Sequence, residues 1–187
     1  KHRRRQRQMC IRDRDESMEN ALVSGIASQK DQVKFTLHSV GDIPGTAFKI
    51  LGPISEAEVE VDVIVQNVSI DGKTDFTFTV SNEDQETVKK ILSDIKDEIN
   101  YKELIINPDI AKVSLVGAGM RSQSGVASKA FKALSENDVN IQIICTSEIK
   151  ITMVIKEEEV EKAINVLHEE FEFCLLYTSD AADDDAC

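Results

Sequence analysis

No apolar run in this chain approaches the roughly 20 residues that a helix needs to cross a bilayer, so no membrane-spanning helix is expected. Positive charge is also scarce. Lys and Arg number 22 against 34 Asp and Glu, giving a net charge of −12. Nucleic acids and anionic membranes both select positive surfaces, so the composition argues against either as a partner. Cysteine is sparse and scattered: Cys10, Cys145, Cys174 and Cys187 contain no close C-x-x-C pair. Neither a zinc site nor a disulfide framework is expected, and a reducing, cytoplasmic setting fits. Cys145 falls in an apolar strand and reads as an inert core thiol. His2, His38 and His168 show no metal-ligand spacing, and His38 and His168 read as surface residues.

Catalytic signatures are missing too. No nucleophile–base pair, phosphate loop or metal cluster appears, so no catalytic residue, metal or cofactor is assigned. Gly117-Ala118-Gly119 follows a strand, but Ser122 stands where a dinucleotide fingerprint needs its third glycine. Asn67-Val68-Ser69 has the form of a glycosylation acceptor but lies in an expected strand. Glu157-Glu158-Glu159 opens a helix, where negative charge suits the dipole without any metal.

Both ends are out of keeping with the rest. Residues 1–17 carry 7 Lys/Arg against 3 Asp/Glu, without apolar periodicity. They lack the apolar stretch of a secretory signal. Residues 9–14 and 175–184 resemble translated sequencing-adapter DNA, and 1–17 and 173–187 are read as disordered or non-native tails.

What the chain does have is an internal repeat. Val33 onward recurs from Val113 at a constant offset of 80 positions. Pro44-Gly45 answers Ser124-Gly125, Ala47 answers Ala127, Ser55-Glu56 answers Ser135-Glu136, and Val59 answers Val139. Beyond a hairpin shorter by seven residues the offset becomes 73, with Phe76 answering Ile149. Such register through a strand, a loop and a helix marks two copies of one small α+β unit.

In the first copy, alternation predicts a strand over Val33–Ser39. A helix over Pro44–Ala57 follows, flawed by Gly52-Pro53. Strands over Val59–Val68 and Thr74–Val80 flank an Asp71-Gly72 turn. Asn82 and Gln85 have capping-box spacing before a helix striped by Val88, Ile91, Leu92, Ile95 and Ile99. Leu104–Ile106 is a last strand. The second copy repeats this with strands over Lys112–Gly117, Ile141–Thr146 and Ile149–Ile155. Its helices cover Ser124–Glu136 and the stripe from Val160 to Phe171. Each unit reads βαββαβ, a ferredoxin-like antiparallel sheet with helices on one face. The second copy lacks its own last strand, and the early apolar piece Ala21–Ala27 is expected to supply it. The first unit (31–107) would then be inserted within the second (18–30 plus 108–172).

Three stretches carry a resemblance. Val65-Gln66-Asn67-Val68-Ser69, Lys112 to Met120, and Cys145-Thr146-Ser147-Glu148-Ile149-Lys150-Ile151 resemble the paired ACT domains of aspartate kinase. Asp42-Ile43-Pro44-Gly45 resembles its effector loop. The resemblance implies two ferredoxin-like ACT domains packed through antiparallel sheets. It further implies regulation of an aspartate kinase catalytic domain or subunit by L-lysine and/or L-threonine, and a homodimer formed through ACT domains. A stand-alone ACT-repeat assembly module without ligand is the alternative.

An amino acid presents a carboxylate and an ammonium. A helix opening at Pro44 would offer the N–H groups of Gly45, Thr46 and Ala47 to the carboxylate. Asp42 would take the ammonium, and Ile43 completes the loop. From spacing alone, Asp42 to Gly45 could equally be a plain turn. Asp62 and Gln66, four apart on one strand, are expected on one face. The resemblance implies that Gln66 contacts the ligand while Glu60, Val61 and Asp62 contribute backbone groups. It also implies that Val126, Ala127, Asn140, Ile141 and Ser147 wall the site from a second unit, often in another chain. Ser122 replaces Asp42 in the second copy, which argues against an equal site there.

Overall fold

The computed structural model describes residues 23–67, 71–117 and 125–171. Two long strands organise it: β1 (Gly25–Gly41) and β4 (Glu103–Val116), paired antiparallel. Between them come α1 (Thr46–Glu56), β2 (Val61–Gln66), β3 (Lys73–Ser81), α2 (Gln85–Asp94) and α3 (Lys96–Ile99). After β4 come α4 (Val126–Glu136), β5 (Ile143–Thr146), β6 (Lys150–Lys156) and α5 (Val160–Glu170). The six strands form one sheet in the order β2-β3-β1-β4-β6-β5.

The sequence divides each long strand into two pieces, and the structure fuses them. Asp31 and Asp109 sit at φ 58° and 60° within β1 and β4. Asp is among the few residues that enter this region without glycine's freedom. Register shifts between Gln29 and Lys34 accompany the first bend. The chain therefore turns without ending the strand. On either side the order is the same, β2-β3-β1-β4 in the first half and β5-β6-β4-β1 in the second. Gly25–Gln29 pairs with Val116–Lys112, while Lys34–His38 pairs with Asn107–Glu103. Each half is thus a ferredoxin-like βαββαβ unit that borrows the opening of a strand beside the other's end.

Helices cover one face in two cores. Phe35, Phe78, Ile50, Ile54, Val88 and Leu92 are buried together in the first, with Phe35 and Phe78 stacked at 5.5 Å between ring centres. Leu115, Met153, Leu134 and Leu167 anchor the second. A third, small cluster joins Val63 of β2, Ile110 of β4 and Val154 of β6, with Val65 and Ile143 packed against it. Three strands separate β2 from β6. The sheet must therefore fold over its helix-free face at the two bends.

Several boundaries differ from expectation for identifiable reasons. Asn82 and Gln85 form no capping box: residues 82–84 make a single 3₁₀ turn with no side-chain cap, and Glu83 and Asp84 supply negative charge there. The following helix breaks at Ile95 (φ −91°, ψ 3°) into α2 and α3. Despite Gly52 and Pro53, α1 runs through to Glu56. Cys145 is exposed rather than a core thiol, because β5 is an edge strand with no neighbour beyond it among the described residues. His38 and His168 are half-buried. Val68 and residues 118–124 lie outside the described residues.

Candidate functional site

The loop from Asp42 to Ala47 is built around a turn rather than a helix start at Pro44. Thr46 N–H donates to the Ile43 carbonyl at 3.2 Å, and Gly45 has φ 94° and ψ −9°. Proline second and a positive-φ glycine third are what a type II turn requires. α1 then begins at Thr46, two residues later than expected. Lys49 N–H is the first to bond back, to Gly45 O at 3.0 Å.

This changes the donor set. Thr46 does not offer its N–H, which the turn uses, and its side-chain hydroxyl donates to Gly41 O at 2.8 Å. Thr46 is buried and acts as a structural tie. The first-turn donors left to a ligand are Ala47 and Phe48, with Gly45 ahead of them. Asp42 and Ile43 are exposed, Ile43 at 63%. Asp42 N–H donates to Gly72 O at 2.9 Å, tying the loop to the β2–β3 hairpin.

A bulge decides which β2 side chains reach this loop. Val61 opposes Val80 and Ile64 opposes Phe78, so Asp62 and Val63 together oppose only Thr79. The Thr79 hydroxyl accepts the Val63 N–H at 3.2 Å. One extra residue reverses the alternation that follows. Asp62 accordingly turns to the helix-free face, where Lys112 Nζ donates to its Oδ2. Gln66 opposes Phe76 of the helix-covered core and turns to the helix side. The two do not share a face. β2 runs parallel to β1, since each is antiparallel to β3. Gln66 therefore lies at the end where β1 delivers the Asp42 loop, and Glu60 and Val61 lie about 16 Å away at the other end.

The second-half residues divide in the same way. Val126 and Ala127 open α4, preceded by Gly125 at φ 129°. Ser147 closes the β5–β6 hairpin, its N–H donating to Lys150 O at 2.8 Å. Asn140 and Ile141 stand at the opposite end of β5, in a depression of about 470 Å³ with Phe131 and Ser135. Ala47 and Val61 pack on the first core, while Val126, Ala127 and Ile141 pack on the second. Within one chain, then, the fifteen residues form separate groups at the two edges of the sheet rather than one pocket.

The sequence reading missed a cluster just ahead of the loop. Ser39 has φ 61° at a register shift between Leu37 and Val40. Asp75 of β3 holds it: Oδ1 accepts the Ser39 N–H at 3.0 Å, and Oδ2 lies 3.0 Å from His38 Nδ1. The Ser39 N–H, aided by His38, keeps the Asp75 carboxyl below its ordinary range against a smaller opposing effect of burial. The signal was available, because the buried series Val33, Phe35, Leu37 resumes at Val40 instead of residue 39.

The comparisons with known proteins agree with this architecture. ACT-domain family models match residues 37–100 and 113–171. The aspartate kinase of Pseudomonas fluorescens (strain SBW25) is 52% identical over 160 residues, 86% of this chain and 39% of that protein. The aspartokinase of Pseudomonas aeruginosa is 53% identical over 164 residues, 88% of this chain and 40% of that protein. The chain thus spans about two fifths of the length of these curated relatives. The crystal structure of aspartokinase alpha and beta subunits contains a chain 44% identical, with a TM-score of 0.76 over 81% of this chain and 99% of that one. The ligand-free regulatory subunit of aspartate kinase from Thermus thermophilus is 35% identical, with a TM-score of 0.76 over 80% and 99%.

Proposed function

The chain belongs to the tandem ACT-domain regulatory region of the aspartate kinases, and from that premise we propose that it senses an amino-acid effector. The effector is L-lysine and/or L-threonine, and its occupancy is relayed as feedback inhibition to a cytoplasmic aspartate kinase catalytic domain or subunit. The two ACT domains divide as 31–107 and 18–30 plus 108–172.

The observation that carries this reading is the turn at Asp42–Thr46. It leaves the Ala47 and Phe48 N–H groups ahead of the first helical bond, with the exposed Asp42 opening the same loop. An α-carboxylate suits those N–H groups and the positive end of the helix. An α-ammonium suits Asp42 through a charge-assisted hydrogen bond. Gln66 lies at the same end to read the remainder of the ligand.

The two residue groups are reconciled by a homodimer. Pairing β2 antiparallel with a partner's β5 brings the Asp42 loop and Gln66 beside Asn140 and Ile141 of the second copy. The same pairing brings Glu60, Val61 and Asp62 beside Val126, Ala127 and Ser147. Supporting it, each edge carries one exposed isoleucine at mid-strand on the helix-bearing side, Ile64 at 47% and Ile144 at 48%. Unpaired edges favour such an addition, and a twofold axis makes it twice. Binding regulates only through its difference in affinity between domain arrangements.

Titration calorimetry with L-lysine and with L-threonine tests the reading. Binding by at least one is expected, with thermal stabilisation of about 2.7 kcal/mol at a hundredfold excess over Kd. Asp42→Ala should abolish both effects and leave the fold intact. Heat from neither ligand would overturn the reading in favour of a pure assembly module.

A further inference from the structure

The cluster of His38, Ser39 and Asp75 lies immediately before the effector loop and serves no purpose assigned so far. We propose that Asp75, oriented by His38, is a positioning residue that sets the loop's aim and with it the effector affinity; this rests on the effector reading above. The loop is tied to one hairpin at two points. Gly72 O takes the Asp42 N–H at 2.9 Å, and Asp75 Oδ1 takes the Ser39 N–H at 3.0 Å. Both acceptors lie within four residues of the same β2–β3 turn. Ser39 at φ 61° is a costly conformation for a non-glycine residue and persists because its surroundings hold it. Asp75 is that holder, and His38 Nδ1 at 3.0 Å orients the other carboxylate oxygen. A swing of β1 at Ser39 would carry the Asp42 carboxylate and the α1 N-terminus with it.

The repeat supplies an independent argument. At the 80-position offset His38 corresponds to Ala118, Ser39 to Gly119 and Asp42 to Ser122. The histidine therefore accompanies the copy that carries the acidic loop, and the other copy lacks both. The charged groups facing His38 are Asp75 on β3 and Glu103, its opposite on β4. Lys102 donates its backbone N–H to the His38 carbonyl at 2.9 Å.

The test measures effector affinity by calorimetry at one pH for wild type, Asp75→Asn and Asp75→Ala. Asp75→Ala should bind about two- to fivefold more weakly than wild type, the scale of a surface ion pair. Asp75→Asn keeps an oxygen for the Ser39 N–H and should bind close to wild type, a rescue that a loss of fold stability alone would not give. Equal effector affinities for wild type and Asp75→Ala would overturn the proposal while leaving the effector reading standing. Amide exchange at Ser39 and Asp42, measured without ligand, decides the case if no effector binds. Faster exchange in Asp75→Ala than in wild type at the same pH is expected. Equal protection throughout refutes the tie.

Discussion

Replacing Asp62 by Asn should destabilise the fold by about 2 kcal/mol. Lys112 sits on the helix-free face with its side chain 5% exposed, and its ammonium donates to an Asp62 carboxylate that is itself 46% exposed. Stripping the partner from a fully buried ion costs about 3–5 kcal/mol. An exposed pair contributes about 0–1 kcal/mol. One buried and one half-exposed member place the cost between these limits. Ile110 and Val154, the apolar neighbours on that face, offer the ammonium no replacement acceptor. Urea unfolding should show the loss as a lower midpoint at unchanged slope. Thermal unfolding should show a fall of about 4–8 °C for a chain of this size.

A second variant separates the ion pair from the bulge that carries it. Adding Lys112→Met to Asp62→Asn removes the orphaned charge and should recover most of the loss, a coupling that simple additivity does not give. An Asp62→Asn protein within about 0.5 kcal/mol of wild type, or a double variant no better than the single one, would refute this account of the buried lysine. Effector affinity should be nearly unchanged in Asp62→Asn, because the Asp62 side chain points away from the ligand loop.

Four further outcomes follow from the same geometry. Gly45→Ala places a Cβ in open space at φ 94°, so its cost is conformational, about 1–2 kcal/mol by denaturant unfolding, with weaker effector binding besides. Gly52→Ala meets only the Phe48 ring at 3.8 Å, an ordinary contact, and should raise stability by about 0.5–1 kcal/mol in thermal unfolding. Asp75, whose carboxyl is held below its ordinary value of 3.8, favours the fold above that pH. Its contribution is lost as pH falls through the lower folded-state value, so Asp75→Asn should flatten the acid limb of a stability–pH curve. Ile64→Lys places a charge at mid-edge of β2 and should yield a monomer in sedimentation velocity where wild type sediments as a dimer.

How much of this was legible in the sequence depended on parity and on strand continuity. The repeat, the helical stripes and the ferredoxin-like unit came through because Val88, Leu92, Ile50 and Ile54 keep helical spacing, and every one of them is buried. The alternation of Val33, Phe35 and Leu37 likewise fixed the inner face of β1. Bulges were harder to see. In β2 the unbroken apolar run Val63-Ile64-Val65 hides the extra residue, since any parity fits it, and Asp62 and Gln66 were assigned to one face. The bends at Asp31 and Asp109 were invisible for a related reason: a polar aspartate between apolar stretches marks a loop as readily as a kink inside one strand. Only the pairing partner distinguishes the two. Here β1 and β4 bend together, so each supports the other's departure from regular backbone.

The candidate site was legible to the extent that it depends on local chain chemistry. Pro44-Gly45 marked a break after β1, but the helix was expected to open at Pro44, whereas those two residues form the centre of a type II turn. The choice among its N–H groups was not legible, because it depends on the helix starting at Thr46 and on the Thr46 hydroxyl reaching back to Gly41. A threonine buried at 6% is there for that tie, and a larger or charged residue could not occupy the same space without moving the turn. The hydroxyl and the N–H of residue 46 are thus both spent on the loop's own backbone. Under the proposed effector reading, discrimination among amino acids would fall to Gln66 and the β2 edge, where Asp62, Ile64 and Gln66 are exposed.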